Sequence, residues 1–273
     1  MNAISTPPTA TPRRQTRHVI VRANAPLFYS IAIASLLETH AAQHPERLLE
    51  CLGVDSHLGD WIRNEWLPRK EKRAAALRQY VADYWPEFDW AAASDHYRSL
   101  LAQEASPALH RATGGFEALV RCANAAQAGV YYRALAKWSD DHALRTLARG
   151  MAEEEADAST RFGATFERRG RREQIGLLRA WRTVRACVRA SRDMRVRLAF
   201  DALNAQCSFN SPFPVLAYPE FIARMRAVIE RCAQPRWSER LLFKAWARVP
   251  ALAVESTRQP ALAGFKPVLA PTA

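Results

Sequence analysis

The segment from His142 to about Arg168 constrains the fold most, because it has the pattern of one long amphipathic helix. Its large apolar residues fall at helical spacing on one side: Leu144, Leu147, Met151 and Phe162. Such a helix must bury that side against other elements. Few stretches of the chain alternate as β-strands do, and only 10 of the 273 residues are glycine. The sequence therefore predicts an all-α fold.

Three further long helices are expected before this one. Their predicted ranges are about Ala25 to Gln43, Asp60 to Tyr84, and Phe116 to Trp138. Shorter helical segments are expected near Glu46–Leu52 and Phe88–Leu101, and Ser139–Asp141 forms a tight turn between the last two long helices. Two helical hairpins separated by a crossover predict an up-down four-helix bundle.

Acidic residues recur where they could face one another inside such a bundle. Glu38 on the first helix and Glu71 on the second are 33 residues apart, and Glu155 lies on the fourth helix. Carboxylates projecting into a bundle core are the ligands that high-valent iron requires, because their charged oxygens can bridge two ions. Counting 33 residues back from Glu155 reaches Cys122, so the third helix offers no carboxylate in register.

The segment Gln127–Ala136, together with Asp140-Asp141 and Met151–Glu155, resembles the hairpin of the third and fourth helices in bacterial ferritin-like domain proteins. The resemblance covers roughly residues 25–168 and implies a ferritin-like four-helix bundle. In members with complete sites it implies iron-dependent oxidase or oxygenase chemistry, or iron storage. The metal-ligand role carries over to three residues: Glu38, Glu71 and Glu155.

The chain departs from the family pattern at both expected histidines. Two helices of such a bundle each supply Glu-x-x-His. Ala74 and Ala158 stand three residues after Glu71 and Glu155, where the imidazoles are expected. Two losses of the same kind at equivalent positions predict that the standard di-iron site is absent.

Two hypotheses follow from this degenerate ligand set. The first is a non-catalytic binding or scaffold protein with no cofactor, in which the glutamates make salt bridges or hydrogen bonds inside a metal-free bundle. The second is a non-haem iron oxidase or oxygenase that acts on a small organic substrate through an altered di-iron site. That site would borrow Glu154, Asp157 or a histidine.

A third hypothesis comes from the basic C-terminal third, which carries the excess charge behind the net +12. A basic helix is expected from about Arg172 to Leu203, and helices near Pro219–Cys232 and Ser238–Ala247 follow a proline-rich loop. Arginines at three- and four-residue steps form one stripe on the basic helix: Arg182, Arg185, Arg189 and Arg192. The stripe predicts an anion- or nucleic-acid-binding protein, with a solvated arginine face as the alternative.

The predicted organisation has four parts. Residues 1–24 are expected to be a disordered leader, 25–168 the bundle, 169–249 a basic helical extension packed on the bundle, and 250–273 a disordered tail. No apolar run approaches the roughly 18 residues that span a bilayer. Five scattered cysteines, none in a C-x-x-C pair, predict reduced thiols in a cytoplasm. A homodimer and an anionic partner at the basic helix are the expected partners.

Overall fold

The computed structural model describes residues 18–41, 45–52, 56–103, 113–176, 178–182, 194–207 and 211–232. Every regular element within these residues is a helix, and none of them is a strand, so the all-α prediction is confirmed for this part of the chain. No helix in the described ranges is long and apolar enough to cross a membrane.

The described part of the chain contains nine α-helices of regular length, named here in chain order. They are α1 (Ala25–Ala41), α2 (Pro45–Leu52), α3 (Ser56–Trp61), α4 (Leu67–Tyr84), α5 (Trp90–Gln103), α6 (Gly114–Trp138), α7 (His142–Arg172), α8 (Val196–Asn204) and α9 (Tyr218–Cys232). The first, third and fourth long helices agree with the predicted ranges to within a few residues. The second does not begin as one α-helix.

A π-helical segment, Ile62–Trp66, separates α3 from α4 where one continuous helix was expected. Pro68 lies in the first turn of α4. A proline ring cannot donate a backbone hydrogen bond, so it is best tolerated at a helix start, where the N–H would have no partner. The π-helical segment before Pro68 accommodates the proline ring while the backbone stays helical from α3 into α4.

The pair α6 and α7 forms an antiparallel hairpin around the predicted turn. Asp141 caps α7, since its Oδ1 accepts a hydrogen bond of 2.8 Å from the backbone N–H of Leu144. The other oxygen of Asp141 accepts from the hydroxyl of Tyr84 at 2.9 Å. The cap therefore begins α7 and also ties the hairpin to the end of α4.

The pair α1 and α4 also runs antiparallel. Phe28 near the start of α1 packs against Trp85, just after α4, with ring centroids 5.2 Å apart. Glu38 near the end of α1 binds Lys70 near the start of α4. The hydroxyl of Tyr131 on α6 donates a hydrogen bond to the backbone carbonyl of Ser30 on α1. The α6–α7 pair and the α1–α4 pair therefore contact each other. The ferritin-like form of this arrangement stays a prediction.

The N-terminal part of the structure corrects the predicted leader. Residues 18–22 are helical, although 1–24 were expected to be disordered. Arg22 forms a 3.0 Å salt bridge with Glu87, and its carbonyl accepts from the indole of Trp85 at 3.0 Å. Val21 is buried as well. These contacts fix the segment from residue 18, while residues 1–17 lie outside the described part.

The C-terminal part also differs from its prediction. α7 continues to Arg172, and Gln174 then adopts a φ of 50°, in the left-handed region that ends helices. The expected basic helix therefore does not start at Arg172. Helices α8 and α9 pack on α1 through an aromatic cluster of five rings: Phe28, Tyr29, Phe200, Phe213 and Phe221. The predicted helix Ser238–Ala247 and the tail 250–273 lie outside the described residues.

Buried apolar side chains form two separate clusters. The first surrounds Phe28 and includes the aromatic cluster. The second surrounds Trp66 and Phe162 and reaches α2, α3 and α6. Along α7, Met151 belongs to the first cluster and Ala158 to the second. The buried charged residues Lys70 and Arg73 of α4 and Glu155 of α7 lie in the interval between the two clusters.

Candidate functional site

Four helices each contribute polar side chains to one buried site. The side chains are Glu38 of α1, Lys70 and Arg73 of α4, Tyr132 of α6 and Glu155 of α7. We call this set of five residues the charged layer. Each of these five residues is between 2% and 7% exposed. Charged groups are seldom buried so fully unless they are paired, so their partners determine what the site can do.

The two cations face inward because of their spacing on α4. Lys70 and Arg73 are three residues apart, so they lie on one face of the helix. Trp66 and Leu77 extend that face in both directions and belong to the second and first apolar clusters, respectively. Lys70 and Arg73 thus lie on the buried face of α4, at the same level of the bundle as Glu38 and Glu155.

Lys70 lies between the two carboxylates. Its Nζ is 2.7 Å from Oε1 of Glu155, 3.0 Å from Oε2 of Glu38 and 3.2 Å from Oε1 of Glu38. The same ammonium is 5.6 Å from the centre of the Trp66 ring. One lysine therefore bridges α1 and α7 from α4.

Arg73 makes the second set of ion pairs. Its Nη1 donates to Oε1 of Glu155 at 2.8 Å, and its Nε lies 3.9 Å from Oε2 of Glu38. The Nε is also 3.3 Å from Oε2 of Glu154, whose side chain is 36% exposed and lies at the edge of the layer. The two buried carboxylates therefore face two buried cations, and a third carboxylate contacts the layer from its rim.

Tyr132 supplies the neutral donor of the site. Its hydroxyl donates to Oε1 of Glu38 at 2.8 Å. Burial raises the pKa of Tyr132 well above its usual value, and the negative charge of Glu38 raises it further. The phenol therefore stays protonated and serves as a hydrogen-bond donor from α6.

Each charged group of the layer stabilises the ionised form of its neighbours. Burial alone raises the pKa of Glu38, but Lys70, Arg73 and the hydrogen bond from Tyr132 together hold it below the usual value. Burial likewise lowers the pKa of Arg73, and Glu38 and Glu155 outweigh this effect and raise it. At neutral pH Glu38 is therefore ionised and Arg73 protonated, and the layer is held by charge-assisted contacts.

Two of the three predicted metal-ligand residues come together in the charged layer. Glu38 and Glu155 both project into the interior, whereas Glu71 is exposed on the surface of α4. Successive residues of a helix differ by about 100°, so the inward position of Lys70 turns Glu71 away. The expected inward position of Glu71 is not observed. Ala74 and Ala158, at the expected histidine positions, are buried.

Sequence reasoning missed Lys70, Arg73 and Tyr132. A signal was available on α4, where two cations stand three residues apart on the face that Leu77 and Trp66 define. Cations on the apolar face of a helix need buried anions, and Glu38 and Glu155 were already expected inside. Tyr132 carried no such signal, because a tyrosine on a buried helix face is ordinary.

The arginine stripe is described only at its beginning. Arg182 is exposed, whereas Arg185, Arg189 and Arg192 lie outside the described residues. Arg179, which precedes the stripe, stacks over the Phe116 ring with its guanidinium carbon 4.6 Å from the centroid.

The donor set of the charged layer does not fit a pair of iron ions. Both buried carboxylates are already neutralised by Lys70 and Arg73, and two fixed positive charges at hydrogen-bond distance oppose a metal cation. The layer contributes no imidazole. Among the described residues, no three histidine, cysteine, aspartate or glutamate side chains gather in a way that could hold a metal ion.

Comparisons with family models, with curated proteins and with solved structures found no match to this chain.

Proposed function

We propose that the chain is a ferritin-like four-helix bundle protein that acts as a non-catalytic scaffold or binding protein. The order of α1, α4, α6 and α7 supports the bundle, since they form two antiparallel pairs that meet at one buried layer. In this proposal internal ion pairs take the structural place that a metal centre has in ferritin-like enzymes.

The pairing of Glu38 and Glu155 with Lys70 and Arg73 carries the proposal. The four side chains balance in charge and form ion pairs with one another within the interior. Such a layer contributes little net stability compared with apolar packing. It does, however, disfavour other alignments of the helices, because shifting one helix along its neighbour would leave buried charges without partners. A layer of this kind holds four helices in a fixed arrangement, as a scaffold requires.

Metal analysis of protein purified from iron-supplemented cells tests the proposal. We expect far less than one iron per chain, with no difference between the wild type, Glu71→Ala and Glu155→Ala. About two irons per chain, the content of a di-iron site, would contradict the scaffold function if Glu155→Ala lost them. That result would instead favour the alternative, a non-haem iron oxidase or oxygenase with an altered ligand set.

A second candidate function, binding of nucleic acid or another anion, is supported by arginines near the end of α7. Arg171, Arg172 and Arg182 are exposed, and none of them forms an ion pair with an acidic residue in the described part of the chain. Nucleic-acid binding through them would weaken steeply with salt, because each phosphate contact releases counterions. Charge reversal at Arg182 and Arg189 would abolish it, while Lys72→Glu on the exposed face of α4 would not. A flat salt response would contradict this candidate function.

A further inference from the structure

The Lys70 ammonium occupies the position between two carboxylates that a bridging cation would take. Three carboxylate oxygens from α1 and α7 lie within 3.2 Å of its Nζ. Glu38 contacts it from α1 and Glu155 from α7, and the Tyr132 hydroxyl donates a further hydrogen bond to Glu38. No other side chain of the layer contacts both carboxylates at hydrogen-bond distance, since the Arg73 Nε is 3.9 Å from Glu38.

We propose that Lys70 is a built-in substitute for a bound divalent cation. Resting on the scaffold function proposed above, this inference adds that one side chain both balances the carboxylates and keeps divalent cations out. An ammonium is a compact point charge on a flexible stem, and it can enter a position between oxygens that a planar guanidinium fills less well. Because the charge is covalently attached, the bridge between α1 and α7 becomes independent of metal supply.

The effect of removing the Lys70 charge distinguishes this role from that of an ordinary buried ion pair. Without the charge of Lys70, Glu38 and Glu155 leave an excess of negative charge beside the single cation Arg73, with Tyr132 and the rim residue Glu154 facing the same space. Carboxylate oxygens in a polar interior are suitable donors for divalent transition metals. Removing the ammonium should therefore create a divalent-cation site that the natural chain does not have.

The experiment uses the full-length chain with Co²⁺ as the probe, because its visible absorption reports on its ligands. Lys70→Met keeps the length of the side chain and removes the charge, while Lys70→His adds an imidazole donor. We expect both variants to melt at a lower temperature than the wild type in chelator and to regain melting temperature as Co²⁺ is added. Their apparent affinity for Co²⁺ should exceed that of the wild type by at least about tenfold.

Matched variants identify the site. Lys72→Met removes an exposed lysine from the same helix and should behave as the wild type does, with the same melting temperature in chelator and in Co²⁺. Adding Glu38→Gln to Lys70→Met removes one donor and should abolish the effect of Co²⁺. If either Lys70 variant fails to fold in chelator, recovery of its helical circular dichroism on adding Co²⁺ is the expected result.

The proposal is overturned if neither Lys70→Met nor Lys70→His gains helix content or melting temperature with Co²⁺. It is also overturned if the wild type binds Co²⁺ as tightly as the variants do. If this inference alone fails, the Lys70 variants gain nothing from Co²⁺ while the purified wild type still lacks stoichiometric iron. Stoichiometric iron in the wild type that depends on Glu155 would instead contradict the scaffold function, so the two failures can be told apart.

Discussion

The two ends of α1 are held in place by opposite kinds of chemistry. Near its start, Phe28 and Tyr29 enter the aromatic cluster, where Tyr29 stacks on Phe200 with ring centroids 4.7 Å apart. Near its end, Glu38 enters the charged layer and meets Lys70 at 3.0 Å. The first contact joins α1 to the C-terminal helices, and the second joins it to α4, α6 and α7.

The difference lies in how far each residue depends on its neighbours. Burial of an apolar ring is favourable and non-directional, so a somewhat smaller apolar side chain retains much of the stabilisation. A buried charge is tolerated only while its partners remain, and removing one member leaves the others without compensation. The aromatic cluster should therefore tolerate conservative changes, whereas the charged layer should not.

The largest effect is expected from truncating the most buried carboxylate. Glu155→Ala removes a partner of both Lys70 and Arg73, and we expect it to lower the free energy of unfolding by about 3–5 kcal/mol. Glu71→Ala is the matched control, because Glu71 is exposed and should change the value by less than about 0.5 kcal/mol. Denaturant titration measures both. A loss in Glu71→Ala as large as that expected for Glu155→Ala would place Glu71 in the interior and contradict the observed geometry, and a loss in Glu155→Ala as small as that expected for Glu71→Ala would contradict the ion pairing of Glu155.

One conservative substitution in each region compares the two regions directly. Glu155→Gln keeps the shape of the side chain but removes its charge, and should still destabilise by about 2–4 kcal/mol. Phe200→Leu in the aromatic cluster replaces one apolar side chain with another and should lose about 1–2 kcal/mol. Thermal and denaturant unfolding of the two variants provide the comparison. A larger loss in Phe200→Leu would reverse the proposed contrast.

Two neighbouring tyrosines on α6 offer a smaller and closely matched comparison. The Tyr132 hydroxyl donates to the charged carboxylate of Glu38, and the Tyr131 hydroxyl donates to the neutral carbonyl of Ser30, both at 2.8 Å. Hydrogen bonds to charged groups are the stronger ones. We expect Tyr132→Phe to cost about 1.5–3 kcal/mol and Tyr131→Phe about 0.5–1.5 kcal/mol in unfolding free energy. The opposite ranking would show that the Glu38 contact is not charge-assisted.

The smallest expected effect is the contribution of Glu38 to the loss of unfolding free energy in acid. The pKa of Glu38 is lower in the folded chain than its usual 4.5, so its contribution to stability is fully present above that value. As pH falls further toward the folded pKa, protonation removes the contribution. Glu38→Gln should therefore lose less unfolding free energy between pH 5 and acid than the wild type loses, whereas Phe200→Leu should keep the wild-type slope. Identical slopes in all three proteins would indicate that Glu38 is not ion-paired.

The fold class could be predicted from sequence because it depends on local, periodic signals. Helical spacing of apolar residues predicted α6 and α7 closely, and the cap at Asp141 marked the start of α7. The π-helical segment before Pro68 was missed, since the proline allowed either a helix start or a kink. The helical segment 18–22 was missed because contacts with Trp85 and Glu87, distant in sequence, hold it in place.

The candidate site could be predicted only in part. Glu38 and Glu155, expected inside from the 33-residue spacing and the ferritin-like resemblance, are buried. Glu71 was placed inside on its separation from Glu38, but the separation fixes only the level along the bundle. The direction of each side chain depends on the rotation of α4, and the neighbouring positions Lys70 and Arg73 face inward instead. Rotation of a helix is set by packing with its neighbours, which sequence spacing alone does not specify.

A double-mutant cycle between Lys70 and Glu155 tests most directly whether internal cations neutralise the buried carboxylates. The cycle compares the unfolding free energies of the wild type, Lys70→Met, Glu155→Gln and the double variant. Because each single change leaves a buried charge without its partner, we expect the double variant to be more stable than the sum of the single effects by at least about 1.5 kcal/mol. Additive effects, within about 0.5 kcal/mol, would contradict the ion-paired charged layer.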